Sequence, residues 1–166
     1  MKELIFFAVV GLLLVVVQCC VLGQIFPLEY KPDLTLLLVV WIGLKGDYVP
    51  GLFSVFFLGI VEDLLSGGPP GLFPVIYLVA FMFSTYISLN FDMESLGLSW
   101  SITIPTCFIS FCIVFVGRWL GGQILFEPVI IKFVIVKTIS TSLGLILLKP
   151  ILDRSWKGYC GLIGAA

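Results

Sequence analysis

Residues 4–26, LIFFAVVGLLLVVVQCCVLGQIF, contain no charged side chain. An α-helix rises about 1.5 Å per residue, so roughly 20 apolar residues are enough to cross a hydrocarbon core about 30 Å thick. This run reaches that length, and it is longer than the apolar part of a cleavable signal peptide. It predicts a helix that anchors the chain in a lipid bilayer.

The composition of the whole chain agrees with this beginning. Of the 166 residues, 60% are hydrophobic and only 11% are charged, and the mean hydropathy is +1.21. An ordinary soluble domain carries roughly 25% charged residues. The solvent for most of this surface is therefore expected to be lipid.

Apolar runs of helical length recur along the chain. We predict an all-α fold, a polytopic bundle of about six transmembrane helices within one integral membrane domain, residues 1–166. The expected helices cover about 4–26, 33–45, 49–65, 72–89, 98–120 and 129–148. The charged turn at residues 45–47 separates the second helix from the third. Each of these is short, so the pair either spans a thinned membrane or forms a re-entrant hairpin shielded by protein.

The distribution of basic residues predicts the orientation. With six crossings and a cytoplasmic N-terminus, five bases lie inside and two outside, as the positive-inside rule favours. The inner set is Lys2, Lys45, Lys149, Arg154 and Lys157, and the outer set is Lys31 and Arg118. Both termini are therefore expected in the cytoplasm.

Few residues suggest chemistry. Histidine is absent, which removes the commonest general base and metal ligand. The net charge of -1 argues against nucleic acid as a partner, and the five cysteines include no C-x-x-C pair. We expect a chain that is not an enzyme and that has no cofactor, no catalytic residue and no metal site.

Two pairs of small residues have the spacing that lets helices approach closely in lipid. They are Gly117 with Gly121, and Ser140 with Gly144. Such pairs serve packing inside a bundle or the docking of another protein's helix.

Lys137 lies in the last apolar run, where a charge needs a partner or a wet cavity. It is about 12 Å below one face when counted from residue 129, and Glu62 is about 10 Å below the same face when counted from residue 49. We therefore predict that Lys137 pairs with Glu62 or Asp63 inside the bundle. The alternative is that the third helix is shallow and its acids are hydrated at the interface.

The segment GIVEDLLSGGPPGL, residues 59–72, together with the Pro-Asp-Leu of residues 32–34, resembles the rod shape-determining protein MreD family. The length and hydrophobicity of the chain are similar as well. The residues of the motif are Pro32, Asp33, Glu62, Asp63, Gly67, Gly68, Pro69 and Gly71.

The resemblance implies a non-catalytic subunit of the bacterial cell-elongation complex in the cytoplasmic (inner) membrane. Its partners would be an MreC-like bitopic membrane protein and, through it, a RodA-like glycosyltransferase and a penicillin-binding transpeptidase. The mechanism would be scaffolding of peptidoglycan synthesis, which maintains a rod cell shape.

A second interpretation is the substrate-binding subunit of an energy-coupling-factor vitamin transporter, whose six-helix fold resembles that of the MreD family. The first helix of those subunits usually presents an A-x-x-x-A face. Here Ala8 is followed four residues later by Leu12, so that face is missing. A small intramembrane enzyme is a third interpretation, with only scattered carboxylates in its favour.

Overall fold

The computed structural model describes residues 2–22, 24, 31–45, 47–66, 71–90, 96–120 and 129–164. The predicted all-helical class is confirmed, since no strand occurs in these residues. The helices are α1 (Lys2–Val16, continuing as a π-helical segment, Val17–Leu22), α2 (Leu34–Lys45), α3 (Tyr48–Ser66), α4 (Leu72–Asn90), α5 (Leu96–Leu120) and α6 (Val129–Gly164).

Within the described residues, four helical segments are long and apolar enough to cross a membrane. They are Leu4–Leu22, Tyr48–Ser66, Leu72–Asn90 and Ile135–Tyr159. Two shorter apolar helices, Leu34–Lys45 and Ile102–Val116, accompany them. The fold is thus compatible with a multi-pass membrane protein.

Helix α2 lies at the centre of the bundle. All side chains from Thr35 to Ile42 are buried, and the helix packs against the other five. Its 12 residues span only about 18 Å. A helix this short does not cross a 30 Å core by itself, and the surrounding helices shield it from lipid.

Helix α6 continues to Gly164, well beyond the end expected near residue 148. Pro150 lies inside it and removes one backbone hydrogen bond. Beyond this proline, Leu152 is buried and the Trp156 ring stacks on Phe7 with the ring centroids 5.2 Å apart. The packing of this last part against α1 accounts for the continuation, because tertiary contacts override local propensity.

The two ends of the bundle differ in chemistry. One end, which we call the aromatic end, gathers the rings of Phe6, Phe7, Trp41, Trp156 and Tyr159. At the opposite end, polar side chains of α1, α2, α3, α4 and α6 meet. Consecutive helices α1 to α4 therefore run in alternating directions, and α6 runs parallel to α2.

Helices α3 and α4 touch through a glycine. A Cβ atom on Gly59 would lie 2.5 Å from Pro74 Cα and 2.7 Å from Pro74 N. These are backbone atoms, so a side chain here would force the helices apart. The close approach aligns Glu62 of α3 with Tyr77 of α4.

Candidate functional site: a buried polar network

Asp33 begins the network, at the N-terminus of α2. Its Oδ1 accepts a hydrogen bond from the backbone N–H of Leu36 at 3.0 Å, which is the geometry of a helix N-cap. Its own backbone N–H donates to Thr141 Oγ1 of α6 at 3.2 Å. The residue therefore caps one helix and ties it to another.

Gln18 connects three helices with one side chain. Its Oε1 accepts from the backbone N–H of Thr35 at 3.0 Å and from the Thr35 hydroxyl at 3.3 Å. Its Nε2 donates to Glu62 Oε1 at 2.8 Å and to Asp33 Oδ1 at 3.4 Å. Both lone pairs and both N–H groups of the amide are thus used. Gln18 stands in the π-helical segment of α1, a local form that often occurs at functional sites.

Glu62 is 3% exposed and lies within α3. Its second oxygen, Oε2, accepts a hydrogen bond from the hydroxyl of Tyr77, a fully buried residue of α4. Each carboxyl oxygen of Glu62 therefore has a donor, as a buried polar group requires.

Lys137 contributes the positive charge. Its Nζ lies 3.9 Å from Asp33 Oδ2, and this contact replaces the expected pairing. Among the described residues, Lys137 forms no ion pair with Glu62 or Asp63. Lys137 and Glu62 do belong to one network. Asp33, at the start of α2, lies between α3 and α6 and is the carboxylate that Lys137 meets. The Lys137 side chain is 42% exposed and the separation is long for an ion pair, so the contact is a loose one.

Asp63 has a separate structural role. Its carboxylate accepts hydrogen bonds from the backbone N–H groups of Gly71 and Phe73, the latter at 3.0 Å. These groups begin α4 and have no partner inside that helix. Gly71 has a φ of 88°, a conformation that favours glycine. The acid thus closes the connection from α3 to α4.

The structure describes some of the predicted packing residues and leaves others outside the described part of the chain. A Cβ atom on Gly144 of α6 would lie 3.2 Å from Leu37 Cδ1 of α2, so this small residue packs inside the bundle. Ser140 is half-buried one turn away, and Pro32 is half-buried beside Gly144. Gly67, Gly68, Pro69 and Gly121 lie outside the described residues, and Gly117 is described only as part of the α5 backbone.

The arrangement joins five helices through two carboxylates, one ammonium and several neutral groups. In the part of the chain that the structure describes, no three His, Cys, Asp or Glu residues form a group that could hold a metal ion. Apart from the N-cap bond of α2, the hydrogen bonds of the network run between helices, so they fix the positions of the helices relative to one another.

Four residues of the network were not predicted from the sequence: Gln18, Thr35, Tyr77 and Thr141. All four are uncharged, and an uncharged polar side chain in an apolar run is a weak sequence signal of a site. Gln18 did carry a signal. An amide within a long lipid-facing or buried helix has to find partners inside the protein.

Compared with known proteins, the chain matches no family model, no curated protein and no solved structure.

Proposed function

We propose that the chain is a non-catalytic membrane subunit of the bacterial cell-elongation complex, as the resemblance to the MreD family implies. It would hold an MreC-like bitopic protein, and through it the wall-synthesising enzymes, by helix packing within the cytoplasmic membrane. Six crossings with both termini in the cytoplasm are part of this proposal.

The observation that carries the proposal is the position of Glu62 and Asp63, the two acids of the segment that resembles the MreD family. Glu62 links α3 to α1 and α4 through Gln18 and Tyr77, and Asp63 closes the turn to α4. The acids of the motif are therefore built into helix junctions. A scaffold needs such fixed junctions, because a partner helix recognises a surface only if the helices that form it keep their spacing.

The outer surface supports the same proposal. Large apolar side chains such as Val9, Phe53, Leu64 and Tyr86 are exposed on several helices. In water such a surface would aggregate, whereas in a bilayer it meets lipid chains or the helices of partners.

The test is co-purification from membranes of the full chain with the MreC-like protein of the same cell. We expect a complex that survives mild detergent. Site-specific crosslinkers on one face of the bundle should trap it. A chain that purifies alone and yields no crosslink at any helix face would contradict the scaffold. Retention of a vitamin by the purified chain would favour the transporter subunit instead.

A further inference from the structure

Two buried carboxyl groups meet at a single amide. Gln18 Nε2 lies 2.8 Å from Glu62 Oε1 and 3.4 Å from Asp33 Oδ1, so both acids are within hydrogen-bond distance of one nitrogen. Glu62 is 3% exposed and Asp33 is 9% exposed. Two negative charges this close, in a site that water barely reaches, repel each other strongly. Buried carboxyl pairs relieve that repulsion by keeping a proton.

The nearby cation does not balance both charges. Among the residues that the structure describes, Glu62 takes part in no ion pair, and its donors, the Gln18 amide and the Tyr77 hydroxyl, are uncharged. Lys137 has a single loose contact, which is with Asp33. An ionised Glu62 would therefore leave a net negative charge inside the bundle. A carboxyl group avoids the cost of such burial by taking up a proton.

The helix ends decide which acid keeps the proton. Asp33 caps the N-terminus of α2, where the N–H groups carry a partial positive charge, and it also has Lys137 as a neighbour. Glu62 lies one turn before Ser66, the last residue of α3, where the partial charge of the helix is negative. These surroundings favour the ionised form at Asp33 and the neutral form at Glu62.

The network also has a place for the acid proton. The Thr35 hydroxyl lies beside Glu62 and Tyr77, and it donates its own hydrogen to Gln18 Oε1 at 3.3 Å. A hydroxyl oxygen has two lone pairs, so Thr35 can accept a hydrogen bond from the O–H of Glu62. A neutral Glu62 therefore fits the network without an orphaned donor.

Besides Lys137 of α6, the titratable groups nearest to the two acids come from α1, α3, α4, α5 and the residue before Pro32. They are Cys19, Asp63, Tyr77, Cys107 and Lys31. Thiols and phenols are uncharged at neutral pH. Asp63 is bound to the start of α4, and Lys31 forms no ion pair within the described part of the chain. None of these groups supplies Glu62 with a counter-charge.

We propose that Glu62 is an uncharged carboxylic acid in the folded bundle, so that the junction of α1, α2, α3 and α4 takes up one proton when it forms and loosens when that proton leaves. The proton comes from water and returns to water, and the only bond that forms or breaks is the O–H bond of Glu62. The network is thus a proton-controlled contact between helices. The proposal goes beyond the scaffold function and does not depend on it.

Infrared difference spectroscopy of the full chain in lipid vesicles detects this proton directly, because a protonated carboxyl group absorbs at a higher frequency than an ionised one. We expect the unaltered chain to show the band of a protonated carboxyl group at neutral pH and to lose it in alkaline buffer. Glu62→Gln should remove the band. Asp63→Asn is the matched control, since it changes the neighbouring acid of α3, and it should leave the band in place.

The pH dependence of unfolding is a second measurement. If Glu62 is neutral in the bundle and ionised after unfolding, the unfolded chain binds fewer protons, so stability falls as the pH rises. One proton per chain corresponds to about a tenfold decrease of the folding equilibrium constant for each pH unit. In SDS titrations from neutral to alkaline pH, we expect the unaltered chain to show this decrease in excess of Glu62→Gln. Because the amide has the same shape and no charge, Glu62→Gln should be at least as stable at neutral pH.

An ionised Glu62 predicts the opposite results. The proposal is overturned if Glu62→Gln removes no carboxyl band, or if both chains show the same pH dependence. If Glu62→Gln does not fold, Asp33→Asn decides, because removal of the neighbouring negative charge should shift the loss of the band to lower pH, and an unshifted band would contradict the proposal. A band that appears only after sodium is removed would also overturn it, since a bound cation would then balance the charge.

Discussion

At the scale of single residues, the network depends most on an amide. A hydrogen bond between membrane helices contributes on average only about 0.6 kcal/mol, because polar groups of the unfolded chain in lipid also find partners. Gln18 differs from that average, since it serves a buried carboxylate and the orphan N–H of a helix terminus together. Removing it leaves both groups with a missing partner.

We expect Gln18→Leu to lower the free energy of unfolding by about 2 to 4 kcal/mol, as measured by SDS titration in mixed micelles. Leucine has a similar size, so the loss reports the hydrogen bonds. Gln24→Leu is the matched control, because Gln24 is exposed and should change stability by less than about 0.5 kcal/mol. Equal effects of the two substitutions would contradict the role of Gln18.

The pair of Asp33 and Lys137 is expected to be weaker. The separation of 3.9 Å is long for an ion pair and the Lys137 side chain is 42% exposed, so we expect a coupling free energy of about 1 kcal/mol or less. A double-mutant cycle of Asp33→Asn and Lys137→Met measures it. Asp63→Asn with Lys137→Met is the control cycle, and its effects should be additive. Coupling of Lys137 to Asp63 but not to Asp33 would contradict the observed pairing.

At the scale of elements, the contact of α3 with α4 controls how Glu62 meets Tyr77. Gly59→Ala places a methyl group against the backbone of Pro74, which cannot rotate away as a side chain can. We expect a loss of about 1 to 3 kcal/mol in the same titration, the usual cost of overpacking.

Gly158→Ala is the control for Gly59→Ala, since a Cβ atom at Gly158 would meet nothing within 4 Å. Alanine has the higher helix propensity, so this substitution should leave stability unchanged or raise it by up to about 1 kcal/mol. If Gly59→Ala also raised stability, the helices would have room for a side chain and the observed contact would be wrong.

The elements show which structural features a sequence can reveal. Run length and composition predict the helices, because a chain in lipid has to satisfy its backbone hydrogen bonds within each segment. The predicted end of α6 near residue 148 is wrong. Lys149 and Pro150 are local signals for a helix end, whereas the stacking of Trp156 on Phe7, which favours continuation, joins residues far apart in the sequence. The partner of Lys137 also depends on the tertiary arrangement, because depth along a helix does not show which helices are neighbours. The position of α2 brings Asp33 next to Lys137.

At the scale of the whole molecule, α2 determines how the bundle relates to the membrane. The turn after α2 lies beside α6, through the contact of Lys45 with Asp153. Asp153 is 16 residues beyond Lys137, or about 24 Å along α6. If α6 crosses the bilayer, the turn that contains Asp47 therefore lies near the same face as the end of α6. The short α2 would then reach that face within a bundle whose membrane is thinned, and it would not form a re-entrant hairpin.

This geometry and the five-to-two distribution of basic residues together predict on which side of the membrane each loop lies. Single cysteines at Lys31, Asp47 and Gly158, in a chain whose native cysteines are replaced, are labelled with a membrane-impermeant thiol reagent. With the six crossings that we propose, successive loops would alternate between the two sides. We therefore expect Asp47→Cys and Gly158→Cys to react only from the cytoplasmic side and Lys31→Cys only from the opposite side. If Asp47→Cys stays unreactive from both sides while Gly158→Cys reacts from the cytoplasm, α2 and α3 form a re-entrant hairpin with four full crossings. If Gly158→Cys reacts from outside, the orientation is reversed.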